Sequence, residues 1–133
     1  MNLMKSANTI LLVAPENRAS TSLVTMLGTL INVEDVQHVS SLPDSLALIR
    51  TSGVHILLLD EVMFGQGDAS QQALRDYITT CQDLHPGLII FLMIVSLNHR
   101  QLAQELGVQP ILKALLDQEL SGLPESLRLA NLL

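Results

Sequence analysis

The most informative part of the chain is VHILLLDE at residues 54–61. Ile56 to Leu59 are apolar at consecutive positions, whereas a strand with one solvated face would alternate apolar and polar residues. We therefore predict a strand over residues 54–59 that is covered on both faces, which is typical of a parallel sheet. Because Asp60 ends this run, its carboxylate is predicted to stand at the edge of the sheet.

Short apolar runs alternate with amphipathic stretches on both sides of this strand. The other predicted strands are at residues 9–13, 33–39, 88–95 and 111–112. The predicted helices start after Asn17, which can cap the first one, and continue at 43–53, 70–84, 98–106 and 117–133. Five strands that alternate with five helices predict an α/β fold, namely a doubly wound, five-stranded parallel sheet of the (βα)5 type.

Composition places the chain among folded globular domains. Apolar residues make up 48% of the 133 residues, which excludes a disordered chain. The longest apolar run, 88–95, is far shorter than the roughly 20 residues of a membrane helix, so we expect no membrane association. The net charge is −6 and the basic residues are scattered singly, which argues against direct nucleic-acid binding. Cys81 is the only cysteine, which excludes an internal disulfide and favours a cytoplasmic location.

The carboxyl ends of the strands are where doubly wound folds carry their function. Here they fall at residues 14–17, 60–65, 93–97 and 113–114. These segments contain no glycine-rich phosphate-binding fingerprint and no Ser-His-Asp set, and the four histidines lack metal-ligand spacing. We therefore predict that the chain is not an enzyme.

Five landmarks occur in order along residues 8–130. They are ILLVAPE at 10–16, LLLDEVMFG at 57–65, HP at 85–86 before IIFL at 89–92, ELGV at 105–108 and LK at 112–113. In this order the chain resembles the receiver domain of bacterial two-component response regulators, which has a flavodoxin/CheY-like fold. The resemblance implies that Asp60 occupies the phosphoacceptor position and Lys113 the position of the lysine that neutralises the phosphoryl group. We interpret residues 1–133 as one receiver-like domain, and leave open whether a longer regulator contains it as its N-terminal part.

Other receiver positions depart from the family pattern. The resemblance places Ala14 and Pro15 where the family has an acidic pair that helps hold Mg²⁺, and neither side chain has an oxygen. Met93 falls at the Thr or Ser position, and methionine cannot donate a hydrogen bond to a phosphoryl group. Glu16, next to the degenerate pair, is interpreted as a solvated residue at a helix start. We expect no metal or other cofactor, unless Asp60 and Glu16 suffice for Mg²⁺.

These departures lead to the hypothesis of a pseudo-receiver. Asp60 and Lys113 are then expected to form a permanent ion pair at the sheet edge. Such a domain would keep the receiver fold, act independently of phosphorylation, and regulate through protein–protein interaction or dimerisation. Two alternatives stay open: a functional receiver that a histidine kinase phosphorylates on Asp60, and an α/β domain that binds a small ligand at the same edge.

The resemblance also implies the kind of partner. We expect an output domain or a separate protein partner, as in a transcription regulator of a two-component system. Receivers often pair through the fourth helix, fifth strand and fifth helix, so we predict a homodimer through this face. This face would expose several leucines, although some of them must belong to the core; they are Leu102, Leu106, Leu115, Leu116 and Leu120.

Overall fold

The computed structural model describes residues 8–29, 33–65, 67–95 and 98–113. Five strands alternate with four α-helices in these ranges, and a 3₁₀ turn, Glu61–Phe64, follows the third strand. The strands are β1 (Asn8–Val13), β2 (Val33–Val39), β3 (Ile56–Asp60), β4 (Ile89–Ile94) and β5 (Gln109–Leu112). The helices are α1 (Arg18–Leu27), α2 (Leu42–Thr51), α3 (Asp68–Leu84) and α4 (Asn98–Glu105).

Two predictions concern helices, namely that the chain has no membrane helix and that a last helix covers residues 117–133. Within the described ranges, every helix is too short or too polar to cross a membrane. The last predicted helix, 117–133, lies outside these ranges, as do Leu115, Leu116 and Leu120.

The sheet confirms the predicted doubly wound architecture. Its strand order is β2-β1-β3-β4-β5, and every neighbouring pair is parallel. Strand β3 lies in the middle, where Leu58 stands opposite Leu12 of β1 and Phe91 of β4. Because all strands run in one direction, their carboxyl ends meet at a single edge, which is the edge that the sequence predicts for the site.

Helices cover both faces of the sheet, as the unbroken apolar run of β3 predicts. Leu57 and Leu59 belong to the core cluster on the face covered by α2, α3 and α4. Ile56 and Leu58 point to the opposite face, where α1 contributes its buried residue Leu23. Successive side chains of a strand alternate between faces, so consecutive apolar residues are required when both faces are buried.

Several element ends differ from the predicted ones. Strand β3 includes Asp60, because this residue still pairs with Met93 of β4. Strand β5 starts at Gln109 rather than at residue 111, and it contains Pro110, which an outer strand tolerates. After β3 the chain forms the 3₁₀ turn, which is capped by Gly65 with a φ of 77°.

Two leucines of the predicted dimer face pack against the core, one fully and one in part. Leu102 of α4 is only 8% exposed, and Leu106 is partly buried against the same cluster.

The start of α1 is fixed next to the end of β1. Asn17 is the N-cap, as predicted, and its Oδ1 accepts a hydrogen bond from the backbone N–H of Ser20 at 2.9 Å. In return, Ser20 Oγ accepts from the backbone N–H of Asn17 at 3.0 Å. This reciprocal capping box satisfies two donors that a helix start would otherwise leave unpaired.

A small polar contact joins α2 to α3 inside the core. Ser45 Oγ donates to the carbonyl of Leu42, so the Tyr77 hydroxyl, 2.7 Å away, donates to Ser45. Cys81 is fully buried one turn further along α3, and this burial raises the pKa of its thiol from 9.0 to about 11. Burial also raises the pKa of the Tyr77 hydroxyl above its ordinary value.

The raised pKa of Cys81 predicts a loss of stability at alkaline pH. The unfolded chain loses the thiol proton near pH 9.0, whereas the folded protein holds it until about pH 11. The stabilisation is therefore complete below pH 9.0 and is lost as the pH rises to about 11. Measured by urea denaturation, the free energy of unfolding should fall more steeply with pH across this window for the native protein than for Cys81→Ala. Equal slopes for the two proteins would contradict the prediction.

Candidate functional site

The structure brings Asp60 and Lys113 together at the edge where the strands end. Lys113, which directly follows β5, places its Nζ 2.6 Å from Asp60 Oδ1. The Asp60 side chain is 10% exposed and that of Lys113 is 32% exposed, so the carboxylate is nearly buried while the ammonium still reaches solvent. The expected contact between the two charged groups is therefore present.

Asp60 Oδ1 also accepts a backbone hydrogen bond from the turn that follows β3. It accepts a hydrogen bond from the backbone N–H of Val62 at 3.0 Å and so caps the 3₁₀ turn. One carboxylate oxygen thus receives two donors, one from the neighbouring backbone and one from Lys113. These two contacts fix the orientation of the carboxylate at the sheet edge.

A cavity of about 230 Å³ opens beside the ion pair, on the face covered by α1. Its apolar walls among the described residues are Ala14, Pro15, Ala19, Leu23 and Met93. Met93 is 2% exposed, and the parallel register sets it directly opposite Asp60. The positions that the resemblance assigned to an acidic pair and a hydroxyl are therefore filled by apolar side chains at the site itself.

The polar side chains at the rim of this cavity form hydrogen bonds within the start of α1. Asn17 Oδ1 and Ser20 Oγ make the capping box of α1, and Ser20 Oγ also donates to the carbonyl of Asn17 at 2.9 Å. These oxygens therefore stabilise the helix start.

The described side chains that line this cavity offer only one carboxylate to Mg²⁺, the ion that receiver chemistry uses. Mg²⁺ takes oxygen ligands in octahedral geometry, mostly from carboxylates and phosphate. Asp60 is the one carboxylate among the described residues that line the cavity, and its Oδ1 already receives Lys113. Glu16 is exposed and does not belong to that lining. The part of the chain that the structure describes holds no cluster of three His, Cys, Asp or Glu side chains suited to a metal.

His38 is a supporting residue that the sequence analysis did not identify. Its Nε2 lies 2.9 Å from the carbonyl oxygen of Ala14. A carbonyl only accepts, so the imidazole donates this hydrogen bond and holds the loop after β1 from the neighbouring strand β2. A lone histidine at a strand end gives no signal for such a contact until the pairing of β1 with β2 is known.

Glu61 is the second residue that the sequence analysis missed. Its Oε1 accepts a hydrogen bond from the backbone N–H of Val95 at 2.8 Å, just beyond the end of β4. The chain leaves the strand after Asp60, so the Glu61 carboxylate takes the place of a backbone acceptor and extends the contact between β3 and β4 by one bond. Asp60 and Glu61 therefore serve opposite faces of the sheet.

No protein-family model and no curated protein sequence matches the chain, but solved structures do. A LuxR family DNA-binding response regulator from Silicibacter pomeroyi has a TM-score of 0.69 at 18% identity, covering 93% of this chain and 91% of that one. A protein from Burkholderia pseudomallei described as related to pilus assembly has a TM-score of 0.70 at 19% identity, covering 96% and 91%. A CheY-like response regulator receiver domain protein from Methanospirillum hungatei has a TM-score of 0.60 at 19% identity, covering 92% and 98%.

These similarities establish the fold. The chain has the fold of the CheY-like response-regulator receiver domain, as the resemblance in sequence implies. At identities of 18–19%, the likeness is one of architecture, so the use of the site has to be argued from its own residues.

The ion pair predicts unequal effects of removing its two partners. Lys113→Met leaves a nearly buried carboxylate without a cation, whereas Asp60→Asn leaves an ammonium that solvent can reach. We expect Lys113→Met to lower the free energy of unfolding by about 2 kcal/mol, less than the roughly 3–5 kcal/mol for a fully buried pair. Asp60→Asn should lower it by about 1 kcal/mol or less.

Urea denaturation of both single variants and of the double variant measures this coupling. The double variant should lose less stability than the sum of the single losses, because neither charge is left alone. Additive losses would show that the contact does not couple Asp60 to Lys113.

Proposed function

We propose that the chain is a signalling domain of the receiver type that regulates by contact with a protein and does not depend on phosphorylation of Asp60. Two of the similar solved structures are response regulators or receiver domains, which supports a role in signal transduction. Independence from phosphorylation is supported by the Asp60–Lys113 ion pair of 2.6 Å, which lies beside an apolar cavity.

Phosphorylation of a carboxylate requires more than a nucleophile. A carboxylate oxygen attacks the phosphorus of the donor, an acyl phosphate bond forms, and the bond to the leaving group breaks. The negative charge on the phosphoryl oxygens has to be offset during this step, which metal ions and cations do in phosphoryl transfer. Lys113 supplies one positive charge, while Ala14 and Pro15 supply no ligand for a second. Several kcal/mol of lost stabilisation correspond to orders of magnitude in rate.

Met93 weakens the acceptor function further. Its buried thioether lies opposite Asp60, at the position where the resemblance implies a hydroxyl. A thioether cannot donate to a phosphoryl oxygen, so a phosphoryl group at Asp60 would meet an apolar wall. The loss of both the ligands and the donor supports a domain with no catalytic activity and no resident cofactor.

The small-ligand alternative receives less support from the same cavity. A volume of about 230 Å³ is below the roughly 300–1,000 Å³ of typical small-molecule sites. The polar rim groups Asn17 Oδ1 and Ser20 Oγ are already engaged in the capping box. A protein partner needs no such cavity.

The proposal includes a location and a type of output. We place the domain in the cytoplasm, where it would control transcription or another response through an attached output domain or a separate protein. Homodimerisation through α4 and β5 is part of this proposal. Leu102 is buried in the core and cannot contribute to such a face, whereas Leu106 is only partly buried.

Intact mass after incubation with acetyl phosphate and Mg²⁺ tests the proposal. We expect no added phosphoryl group on the native chain, because the site lacks the ligands and the donor. The matched variant Ala14→Asp/Pro15→Asp/Met93→Thr restores the pattern that the resemblance implies, and it should gain a phosphoryl group that Asp60→Ala removes. Circular dichroism of each protein confirms that it is folded. A phosphoryl group on the native chain that is lost in Asp60→Ala would establish a functional phosphoacceptor and overturn phosphorylation independence.

A further inference from the structure

A chain of contacts runs from the ion pair at the sheet edge to helix α2. Asp60 caps the 3₁₀ turn after β3 through the backbone N–H of Val62, at 3.0 Å. Phe64, the last residue of this turn, packs edge-on against Tyr77 of α3, with the ring centroids 5.5 Å apart and the ring planes at 63°. Both rings pack against the same core cluster, where little free space is left, so a shift of the turn displaces the Tyr77 ring.

Tyr77 extends this contact to the first turn of α2. Its hydroxyl donates to Ser45 Oγ at 2.7 Å, and Ser45 Oγ donates to the carbonyl of Leu42. Ser45 is 0% exposed, so bulk water cannot replace either hydrogen bond. A buried hydroxyl that loses its partner is unfavourable, and the Tyr77 side chain and the start of α2 are therefore held in one arrangement.

Lys113 is the member of the ion pair that another molecule can reach. Its side chain is 32% exposed, against 10% for that of Asp60. A nearly buried carboxylate that loses its cation is unfavourable, because water cannot solvate it fully. When an external anion draws the Lys113 ammonium away, the Asp60 carboxylate has to turn toward solvent. The 3₁₀ turn that it caps then moves with it.

The first turn of α2 reaches the protein surface. Pro43 and Asp44 are exposed there, directly before the buried Ser45. Helix α2 follows β2, which lies at the opposite end of the sheet from β5. A change in this turn is therefore presented away from α4 and β5, the elements of the proposed dimer.

We propose that Phe64 and Tyr77 couple the ion pair at the sheet edge to the first turn of α2, so that breaking the pair loosens this turn. The Phe64 ring transmits the displacement of the 3₁₀ turn to Tyr77, and the Tyr77 hydroxyl transmits it to Ser45. This coupling goes beyond the proposed function, and it holds whether or not Asp60 accepts a phosphoryl group. The acetyl phosphate experiment and a measurement of hydrogen exchange therefore fail independently.

Amide hydrogen exchange, followed by NMR on the full chain, measures the opening of α2 at single residues. The Ser45 N–H bonds to the Ser41 carbonyl at 3.1 Å and reports the first turn. The Ser52 N–H bonds to the Leu48 carbonyl at 2.8 Å, and it reports the far end of the helix and any general loss of stability. Lys113→Met should accelerate exchange about fivefold more at Ser45 than at Ser52, the scale of one lost hydrogen bond.

A second substitution identifies the route of the coupling. Tyr77→Phe removes the hydroxyl and keeps the ring, so in this background Lys113→Met should accelerate both amides equally. Phe64→Leu breaks the ring contact and should have the same effect. Thr80→Val is the matched control, because the Thr80 hydroxyl lies on the same helix and bonds to the Asp76 carbonyl at 2.8 Å. It should leave the difference between the two amides unchanged.

Two results would overturn the inference. Equal acceleration at Ser45 and Ser52 in Lys113→Met would show that the ion pair stabilises the domain as a whole. A difference that persists in Tyr77→Phe and in Phe64→Leu would exclude the route through the two rings. Circular dichroism and urea unfolding establish that each variant is folded, and if one ring variant does not fold, the other decides.

Discussion

The burial of β3 on both faces is the constraint on which the rest of the structure depends. Ile56 to Leu59 have no solvated side, so helices must cover the sheet above and below. Such coverage is compatible with parallel strands joined by crossover helices. In a parallel sheet the carboxyl ends of all strands lie at one edge. The two acidic residues that follow the leucines, Asp60 and Glu61, arrive at that edge together.

These neighbouring carboxylates are used on opposite sides of the sheet. Asp60 meets Lys113 on the side of α1, and Glu61 meets the Val95 backbone on the side of α3 and α4. Each carboxylate thus binds a donor that the protein itself supplies. In a receiver that switches, the edge must accept and release an external anion. In the described part of this edge, Asp60 Oδ1 and Glu61 Oε1 already accept from donors of the chain itself.

The sequence predicted the architecture from periodicity and order, and the meeting of Asp60 with Lys113 from the resemblance to the receiver family. The apolar run Ile56 to Leu59 predicts a strand, and the carboxyl ends of the strands in a parallel sheet share an edge. The Glu61–Val95 contact could not be predicted in this way. It depends on a side chain after β3 that reaches a backbone N–H after the neighbouring strand β4. The His38 contact with Ala14 has the same character. Local sequence patterns locate helices and strands, whereas these two contacts can be predicted only when the pairing register of neighbouring strands is known.

The outer strands of the sheet limit how another molecule can approach. Strand β2 carries Glu34 and Asp35 on its exposed positions, and β5 contains Pro110, which has no N–H to offer. Charged residues and proline on outer strands disfavour the addition of a further strand. The described edges are therefore poor templates for cross-β aggregation, and binding would have to use the side chains of helices and turns.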